Sequence, residues 1–325
     1  MQYVGIQTQQ SRNNIRSVFL LCLFPLLVMV LLFAFCYLLN LLTMSDDGTT
    51  QADVLRYSTE MFIAWGPYVL GGVLIWFIIA YFANTFIINS ATGSRPLSRM
   101  ENKRVYNLVE NLCMSQGMKM PKINIIEDDS LNAFASGINE RTYTVSLSRG
   151  IIDKLDDEEL KAVIAHELSH IRNHDVRLMI ISIVFVGIFS MLSQIALRTI
   201  YYSSIGRKRS DKNGGMIILI YFLIVLVLAA IGYFFATLMR FAISRKREYL
   251  ADAGSAEMTK NPLALASALR KIAADPDIEA VDREDVAQLF IESPGKQSKG
   301  LLSRLSRLFD THPPIEKRIQ ILEQF

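Results

Sequence analysis

The sequence predicts a mainly α-helical, polytopic membrane protein with a small β-sheet in the part that lies outside the membrane. First, 51% of the 325 residues are hydrophobic and the mean hydropathy is +0.28, which is too apolar for an ordinary soluble domain alone. Second, four uncharged apolar runs are each long enough to form a transmembrane helix. Third, short alternating segments between the second and third runs are typical of β-strands.

Charge and cysteine content narrow the class of protein. The formal net charge of +3 does not favour binding to nucleic acid, and the basic residues are better explained as flanks of membrane spans. The three cysteines, Cys22, Cys36 and Cys113, are not spaced as a zinc or redox pair, so no disulfide framework is implied. We therefore expect the lipid bilayer as a partner and no nucleic acid.

Residues 1–93 are predicted to form an N-terminal cytoplasmic tail and two transmembrane helices. The first apolar run, Val18–Leu42, lacks the small-residue cleavage site of a signal peptide, so we expect it to be retained. The second run is Met61–Ile88, and the loop 43–60 between the two runs is rich in acidic residues. Basic residues flank the outer ends of both runs, which places the tail and the chain from residue 94 onward in the cytoplasm.

Residues 94–177 have the composition of a globular domain. Met100–Gln116 has the apolar spacing of a helix, and Gly117 is a typical helix stop. The segments Ile123–Ile126 and Thr142–Leu147 alternate as strands do.

The segment Leu131–Gly137 lies between those two strands in sequence and leaves two interpretations open. It is typical of an ordinary strand that ends in a turn. A short strand beside a catalytic helix is equally suited to be an edge on which an extended peptide is held by main-chain hydrogen bonds.

The strongest chemical signal is the H-E-x-x-H motif formed by His166, Glu167 and His170. Helix positions i and i+4 share one face, so the two histidines can hold one metal ion together, and zinc is the metal typical of this pattern. Glu167 then lies beside the ion, where a carboxylate can take a proton from water. Asp156 as N-cap and Glu159 three residues later predict that a helix starts just before the motif.

Residues 178–239 are predicted to form a hydrophobic hairpin. Its two runs, Leu178–Leu197 and Met216–Met239, have full spanning lengths, but the linker between them is basic, against the usual bias for an outer loop. A metal ligand after residue 240 must lie on the same side as His166, so two crossings or none are allowed. We favour two crossings, with a re-entrant or surface-lying hairpin as the alternative.

A catalytic zinc ion usually has three protein ligands, so a third is needed. His174 lies about 6 Å beyond His170 on a straight helix, and its spacing does not match the longer zinc motifs. Glu248, just after the fourth apolar run, is the better candidate, although a charge at the membrane edge would also be found there. Asp252, one turn further, could accept the second ring N–H of a liganding histidine, and Asp175 could pair with the basic flank.

The rest of residues 240–325 predicts two further helices. Asn261 and Pro262 begin a helix that runs to Ala274. Residues 301–309 form a short amphipathic basic segment that either lies on the bilayer surface or packs against the domain core.

Four sequence motifs, taken in order, resemble the M48 metallopeptidases, and most closely the HtpX-type, heat-shock-linked membrane zinc proteases of bacteria. The motifs are the H-E-x-x-H stretch with Asp175, Glu248–Asp252, Asn132–Ala135 and Thr311–Ile319. The resemblance covers about residues 60–325.

The resemblance implies a gluzincin-like metalloprotease domain that holds one zinc ion per chain. His166, His170 and Glu248 would be the ligands and Glu167 the catalytic base. His312 would contact the reacting carbonyl or cover the open metal position, and Arg318 would anchor its segment through an ion pair. Residues 94–177 and 240–325 would be the two halves of this domain. The substrate would lie along the candidate edge strand, at Asn132, Ala133, Phe134 and Ala135.

The resemblance also implies a location and partners. The protein would be a multi-pass protein of the bacterial plasma membrane whose active site faces the cytoplasm. It would cleave unfolded or damaged membrane proteins as part of protein quality control and the stress response, and it could cleave itself. The alternatives are a prenyl-protein-type protease of the same superfamily and a non-catalytic membrane scaffold that retains a zinc site. An intramembrane protease is disfavoured because residues 154–175 are charged throughout.

Overall fold

The computed structural model describes residues 6–44, 50–177, 180–181, 188–189, 192–195, 197–198, 221–234, 246–273 and 313–324. Within these residues the protein is mostly helical and has one small mixed β-sheet, as the sequence predicts. The elements in chain order are α1 (Ile6–Thr43), α2 (Gln51–Thr92), β1 (Arg95–Pro96), α3 (Lys103–Gln116), β2 (Lys122–Ile126), β3 (Ala133–Ser136), β4 (Thr144–Ser148), α4 (Arg149–Lys154), α5 (Asp157–Arg172), α6 (Lys246–Thr259), α7 (Pro262–Ile272) and α8 (Ile315–Leu322).

The chain divides into two units by its internal contacts. One unit, here called the apolar unit, comprises Val18–Tyr81 and Ser182–Met239. The other, here called the metal unit, comprises Met1–Ser17, Phe82–Ile181 and Arg240–Phe325.

Two helices among the described residues are long and apolar enough to cross a membrane, within Asn14–Thr43 of α1 and Gln51–Phe86 of α2. Both contain a proline, which a membrane helix tolerates when neighbouring groups satisfy the freed carbonyl. Within the apolar unit, Nδ2 of Asn40 donates to Oγ of Ser58 at 3.2 Å and links the two helices. The predicted third and fourth runs are described only in part, the fourth through the apolar helix Tyr221–Phe234, so the prediction of four spans stays a prediction.

The sheet of the metal unit has the strand order β1-β2-β4-β3. Strands β2 and β4 are parallel, whereas β1 and β3 pair antiparallel with them at the two edges. The predicted strands are confirmed with small shifts at their ends, and the segment Leu131–Gly137 contributes β3 at one edge. Both faces of β3 and β4 are buried, which explains why apolar residues do not strictly alternate there.

Helix α3 begins three residues later than its predicted start. Oδ1 of Asn102 accepts from the backbone N–H of Val105 at 3.0 Å and so caps the helix at Lys103. Gly117 ends it in the left-handed conformation, with φ of 61°, as its position predicts. The buried face of α3 packs against α5.

Helix α5 lies at the centre of the metal unit. Its predicted capping box is confirmed: Asp156 accepts from the N–H of Glu159, and the Glu159 carboxylate accepts from the N–H of Asp156. The same carboxylate binds Ser267 and Lys271 of α7, so the start of α5 is held from two directions. Twelve of its residues are buried because α3, α6, α7 and the sheet pack around it. The predicted helix from Pro262 is α7, whereas residues 295–309 lie outside the described part of the chain.

Candidate metal centre

Helix α5 buries the three polar side chains of the H-E-x-x-H motif. His166, Glu167 and His170 are 0%, 2% and 6% exposed, respectively. Burial of three titratable groups in one helical turn is costly unless they hydrogen-bond or bind an ion. The partners of these groups therefore decide what the site can do.

Helix α6 brings Glu248 to the two histidines. The Nε2 atoms of His166 and His170 are 3.2 Å apart. The Glu248 carboxylate lies 3.6 Å from each of them, through Oε2 for His166 and Oε1 for His170. One ligand atom from each of the three buried residues therefore lies within 4.8 Å of the others.

The spacing and chemistry of these atoms fit a zinc ion. Zinc bonds of about 2.0–2.2 Å to nitrogen and oxygen place neighbouring ligand atoms of a tetrahedral site roughly 3.3–3.6 Å apart. The observed separations of 3.2–3.6 Å, measured from a different Glu248 oxygen to each histidine, are close to that range. Two imidazoles and one carboxylate are also the ligand set of a catalytic zinc site, which keeps its fourth position for water or substrate.

Two aspartates orient the histidine rings. Nδ1 of His166 lies 3.0 Å from Oδ1 of Asp252, and Nδ1 of His170 lies 3.2 Å from Oδ2 of Asp175. A carboxylate at this nitrogen favours a proton on Nδ1, which leaves the Nε2 lone pair of each ring for a metal. Both Nε2 atoms therefore point to the same place.

Arg318 of α8 lies behind the ligands and is 1% exposed. Its Nε and Nη2 donate to the two oxygens of Asp252 at 3.0 and 2.7 Å, and its Nη1 lies 3.7 Å from Oε2 of Glu248. Burial lowers the pKa of Arg318, but the charge and the bidentate hydrogen bonds of Asp252 outweigh burial and hold that pKa above its ordinary value. The segment after residue 312 is thus tied to the metal centre through Arg318.

The electrostatics of the site favour a positive charge between the ligands. Burial disfavours a charged His166 ring, but the Asp252 and Glu248 carboxylates outweigh it and raise the ring's pKa to about 9. Burial also raises the pKa of the Glu167 carboxyl above its ordinary value. A carboxylate with a raised pKa is a better proton acceptor than an exposed glutamate.

Strand β3 lies directly beside Glu167. Strand β3 packs against α5, and the backbone N–H of Ala135 acts to lower the pKa of the Glu167 carboxyl, against the larger effect of burial. The Ala133 N–H binds Oδ1 of Asn132 at 2.9 Å, so in this structure it has a partner within its own strand segment. Asn132, Ala133, Phe134 and Ala135 are all buried. The structure therefore places the predicted substrate strand at the sheet edge and next to the predicted base.

Of the two remaining histidines, the structure describes only His174. His174 is outside the cluster: its Nδ1 is 3.1 Å from Oδ1 of Asn14, and its backbone has a positive φ of 61°. His312, predicted to contact the reacting carbonyl or cover the open position, lies outside the described residues.

Sequence reasoning missed that Asp175 orients His170. The predicted pairing with the basic flank is also present, since Nη1 of Arg247 lies 3.7 Å from Oδ1 of Asp175. The acidic residue five positions after His170 is visible in the sequence. Its contact with the His170 ring depends on the left-handed backbone at His174, which the sequence does not reveal.

The comparisons with a family model and with curated proteins agree on one family. The model of peptidase family M48 matches residues 99–325. The "Protease HtpX homolog" of Bacteroides fragilis is 74% identical over 325 residues, which is the whole of both chains. The protein of the same description from Streptococcus gordonii is 38% identical over 271 residues, covering 80% of this chain and 88% of that one. Among solved structures, Ste24p of S. mikatae aligns with a TM-score of 0.45 and 20% sequence identity. The alignment covers 81% of this chain and 58% of that one.

Proposed function

Because this chain belongs to peptidase family M48 and is an HtpX-type membrane metalloendopeptidase, we propose that it cleaves protein substrates at a zinc site held by His166, His170 and Glu248. The observation that carries the proposal is the convergence of these three buried side chains from α5 and α6 within 4.8 Å. One zinc ion per chain would satisfy this set of ligands.

The chemistry divides between the metal and Glu167. A bound zinc ion would act as a Lewis acid on the scissile carbonyl and would lower the pKa of water in its open position. The Glu167 carboxylate, buried beside both histidines, would accept the proton from the attacking water and return it to the leaving amine. The raised pKa of this carboxyl supports both halves of that transfer.

The substrate would add an extended strand along β3. The position of β3 at the sheet edge and its packing against α5, the helix that carries Glu167, support this arrangement. Main-chain hydrogen bonds along the outer side of β3 would hold a peptide with little dependence on its side chains. Such a site suits a protease that takes many unfolded segments.

The substrates would be unfolded or damaged membrane proteins, cut at the cytoplasmic face of the bacterial plasma membrane. The basic residues that flank the outer ends of the first two apolar runs support a cytoplasmic metal unit. Self-cleavage, and a role in the stress response through the removal of damaged proteins, would follow from the same activity. His312 would act near the open metal position in this mechanism.

The test is cleavage of casein by the full-length protein in detergent, with zinc removed by a chelator and then restored. We expect the wild-type activity to disappear with the chelator and to return with zinc. Glu167→Gln should keep its zinc but lose about 100- to 10,000-fold in turnover. Glu158→Gln is the matched control because Glu158 lies in the exposed first turn of the same helix and, among the described residues, pairs only with Lys161 at the surface. Cleavage at the wild-type rate by Glu167→Gln would contradict the mechanism, and no cleavage by the zinc-loaded wild type would favour a scaffold.

A further inference from the structure

The first turns of α1 belong to the metal unit and reach the end of helix α5. The amide oxygen of Asn14 lies 3.1 Å from Nδ1 of His174 and 3.3 Å from Nη1 of Arg177. A guanidinium group can only donate hydrogen bonds, so the Asn14 atom that faces it is the oxygen. The same oxygen then accepts from a protonated Nδ1 of His174. Asn14 thus binds two side chains just beyond the metal-bearing helix.

His174 marks a break in the backbone of this region. It has a left-handed conformation, with φ of 61°, between the end of α5 and a further helical turn that begins at Asp175. A residue with a side chain adopts this conformation at a cost in energy, and it persists where surrounding contacts hold it. The hydrogen bond to Asn14 is such a contact.

The break is what allows Asp175 to reach His170. On an uninterrupted helix, residues five apart lie about 140° from each other around the axis, so their side chains diverge. Here Oδ2 of Asp175 lies 3.2 Å from Nδ1 of His170, because the left-handed residue between them turns the chain back. The orientation of one metal ligand therefore depends on the conformation of His174.

Arg177 extends the same contact to the sheet. Its Nε donates to the carbonyl of Ile138 at 2.9 Å. Ile138 follows Gly137 directly after β3, so the arginine joins Asn14 to the chain that leaves the edge strand. One amide oxygen is therefore bound both to the residue that breaks the helix and to the residue that holds the end of β3.

We propose that Asn14 is a positioning residue for the metal centre, which acts through His174 and Asp175 on the orientation of the His170 ring. The inference rests on the proposed function for its metal, but it concerns a residue far from the ligands in sequence. On this proposal, the first turns of α1 support the metal centre as well as precede the first candidate membrane span.

The experiment compares Asn14→Leu, which removes the acceptor, with Asn14→Asp, which keeps an acceptor for both partners. The full-length protein in detergent is loaded with zinc, and its release to a chelating dye is followed in time. We expect Asn14→Leu to release zinc about tenfold faster, near the lower end of the range for lost partners of metal-bound histidines, and Asn14→Asp to match the wild type. Ser11→Leu, at an exposed position of the same helix, is the control for adding a leucine.

A spectroscopic readout separates positioning from general loss of stability. In the cobalt-substituted protein, the visible absorption bands report the ligand field, and Asn14→Leu should shift them while Asn14→Asp and Ser11→Leu do not. His174→Gly favours the left-handed backbone and so preserves the break, but it deletes the ring that Asn14 binds. We expect His174→Gly to release zinc faster than the wild type as well. In the double variant with Asn14→Leu, the increase in the release rate should be smaller than the product of the two single increases.

Two results would overturn the proposal. One is zinc release and cobalt bands in Asn14→Leu that equal those of the wild type. The other is Asn14→Asp behaving as Asn14→Leu does. Failure of the wild-type protein to bind zinc would instead contradict the proposed function and is seen before any variant is compared.

Discussion

Arg318 balances two buried carboxylates at the metal centre. It forms a bidentate pair with Asp252 and lies near Glu248, and all three side chains are almost fully buried. Removing one partner of a buried ion pair leaves an uncompensated charge, which costs more than the pair itself contributes. Arg318 therefore matters both for stability and for the position of the metal ligands.

Replacing Arg318 by methionine should destabilise the protein by about 3–5 kcal/mol, because Asp252 is left charged and buried. The free energy of unfolding in detergent, measured with denaturant, gives the value. Lys317→Met, at an exposed position of the same helix, should change it by less than about 0.5 kcal/mol. Equal stability of the two variants would show that the Asp252 carboxylate does not need this arginine.

Asp175→Asn should weaken zinc binding by about 10- to 100-fold, because the amide no longer favours the His170 tautomer that presents Nε2 to the metal. Competition with a chelator of known affinity measures the change. Asp153→Asn, at an exposed position on α4, is the control. Unchanged zinc affinity in Asp175→Asn would mean that Arg247, not His170, is the important partner of this aspartate.

At the scale of elements, the close approach of α5 and α6 assembles the ligand set. Gly254 of α6 lies against Ser169 of α5, and a Cβ atom at position 254 would overlap the serine Oγ and come within 3.0 Å of its Cβ. Ser255 reinforces the contact by donating to the carbonyl of Ala162 at 2.6 Å. A glycine at this point sets how near Glu248 comes to the two histidines.

Gly254→Ala should therefore separate the two helices, cost about 1–3 kcal/mol of stability and weaken zinc binding. Thermal unfolding and zinc competition measure the two effects. Adding Ser169→Ala should recover most of both, since it removes the overlap with Oγ and leaves contacts at 3.0 Å with the Cβ of residue 169 and at 3.5 Å with Nη2 of Arg172. Gly71→Ala in α2 is the control because a Cβ there meets no atom within 4 Å. If Gly254→Ala alone keeps wild-type stability and zinc affinity, this contact does not control the distance between the two helices.

Local sequence signals predicted individual elements well. The capping box of α5, the stop at Gly117 and the start at Pro262 depend on residues within a few positions of one another, so a single segment reveals them. The order of the strands does not follow from such signals. Strand β4 lies between β2 and β3 because its pairing is decided by distant chain segments.

At the scale of the whole molecule, the metal should join two separate parts of the chain. The ligands lie on α5 and α6, with the predicted hydrophobic hairpin between them in sequence. A ligand that binds only the folded state stabilises it by about 4 kcal/mol when its free concentration is about 1,000 times its dissociation constant. Zinc is therefore expected to stabilise the fold as well as catalyse.

Removal of zinc by a chelator should lower the unfolding temperature of the wild-type protein, and added zinc should restore it. His170→Ala should unfold at the lower temperature with or without zinc, because one ligand is missing. The unfolding temperature in detergent is the measurement. A wild-type protein that responds to zinc no more than His170→Ala does would place the metal elsewhere.

The candidate ligands could be predicted because the chemistry of zinc restricts residue type and spacing. The neighbours that orient them could be predicted only where a regular helix carries them, as for Asp252, one turn after Glu248. The contact between Asp175 and His170 needs a left-handed residue, and the contact between Asn14 and His174 joins residues 160 positions apart. No local sequence pattern predicts either contact, because both depend on how distant or irregular parts of the chain fold together.

The split between α5 and α6 has a consequence for how the protein is made. A ribosome synthesises the two motif histidines well before Glu248, and Arg318 later still. A nascent chain would therefore pass through the translocation machinery with an incomplete metal site and could not cut its neighbours. Chains arrested before residue 248 should accordingly fail to retain zinc, so that the order of synthesis itself would delay the onset of proteolysis.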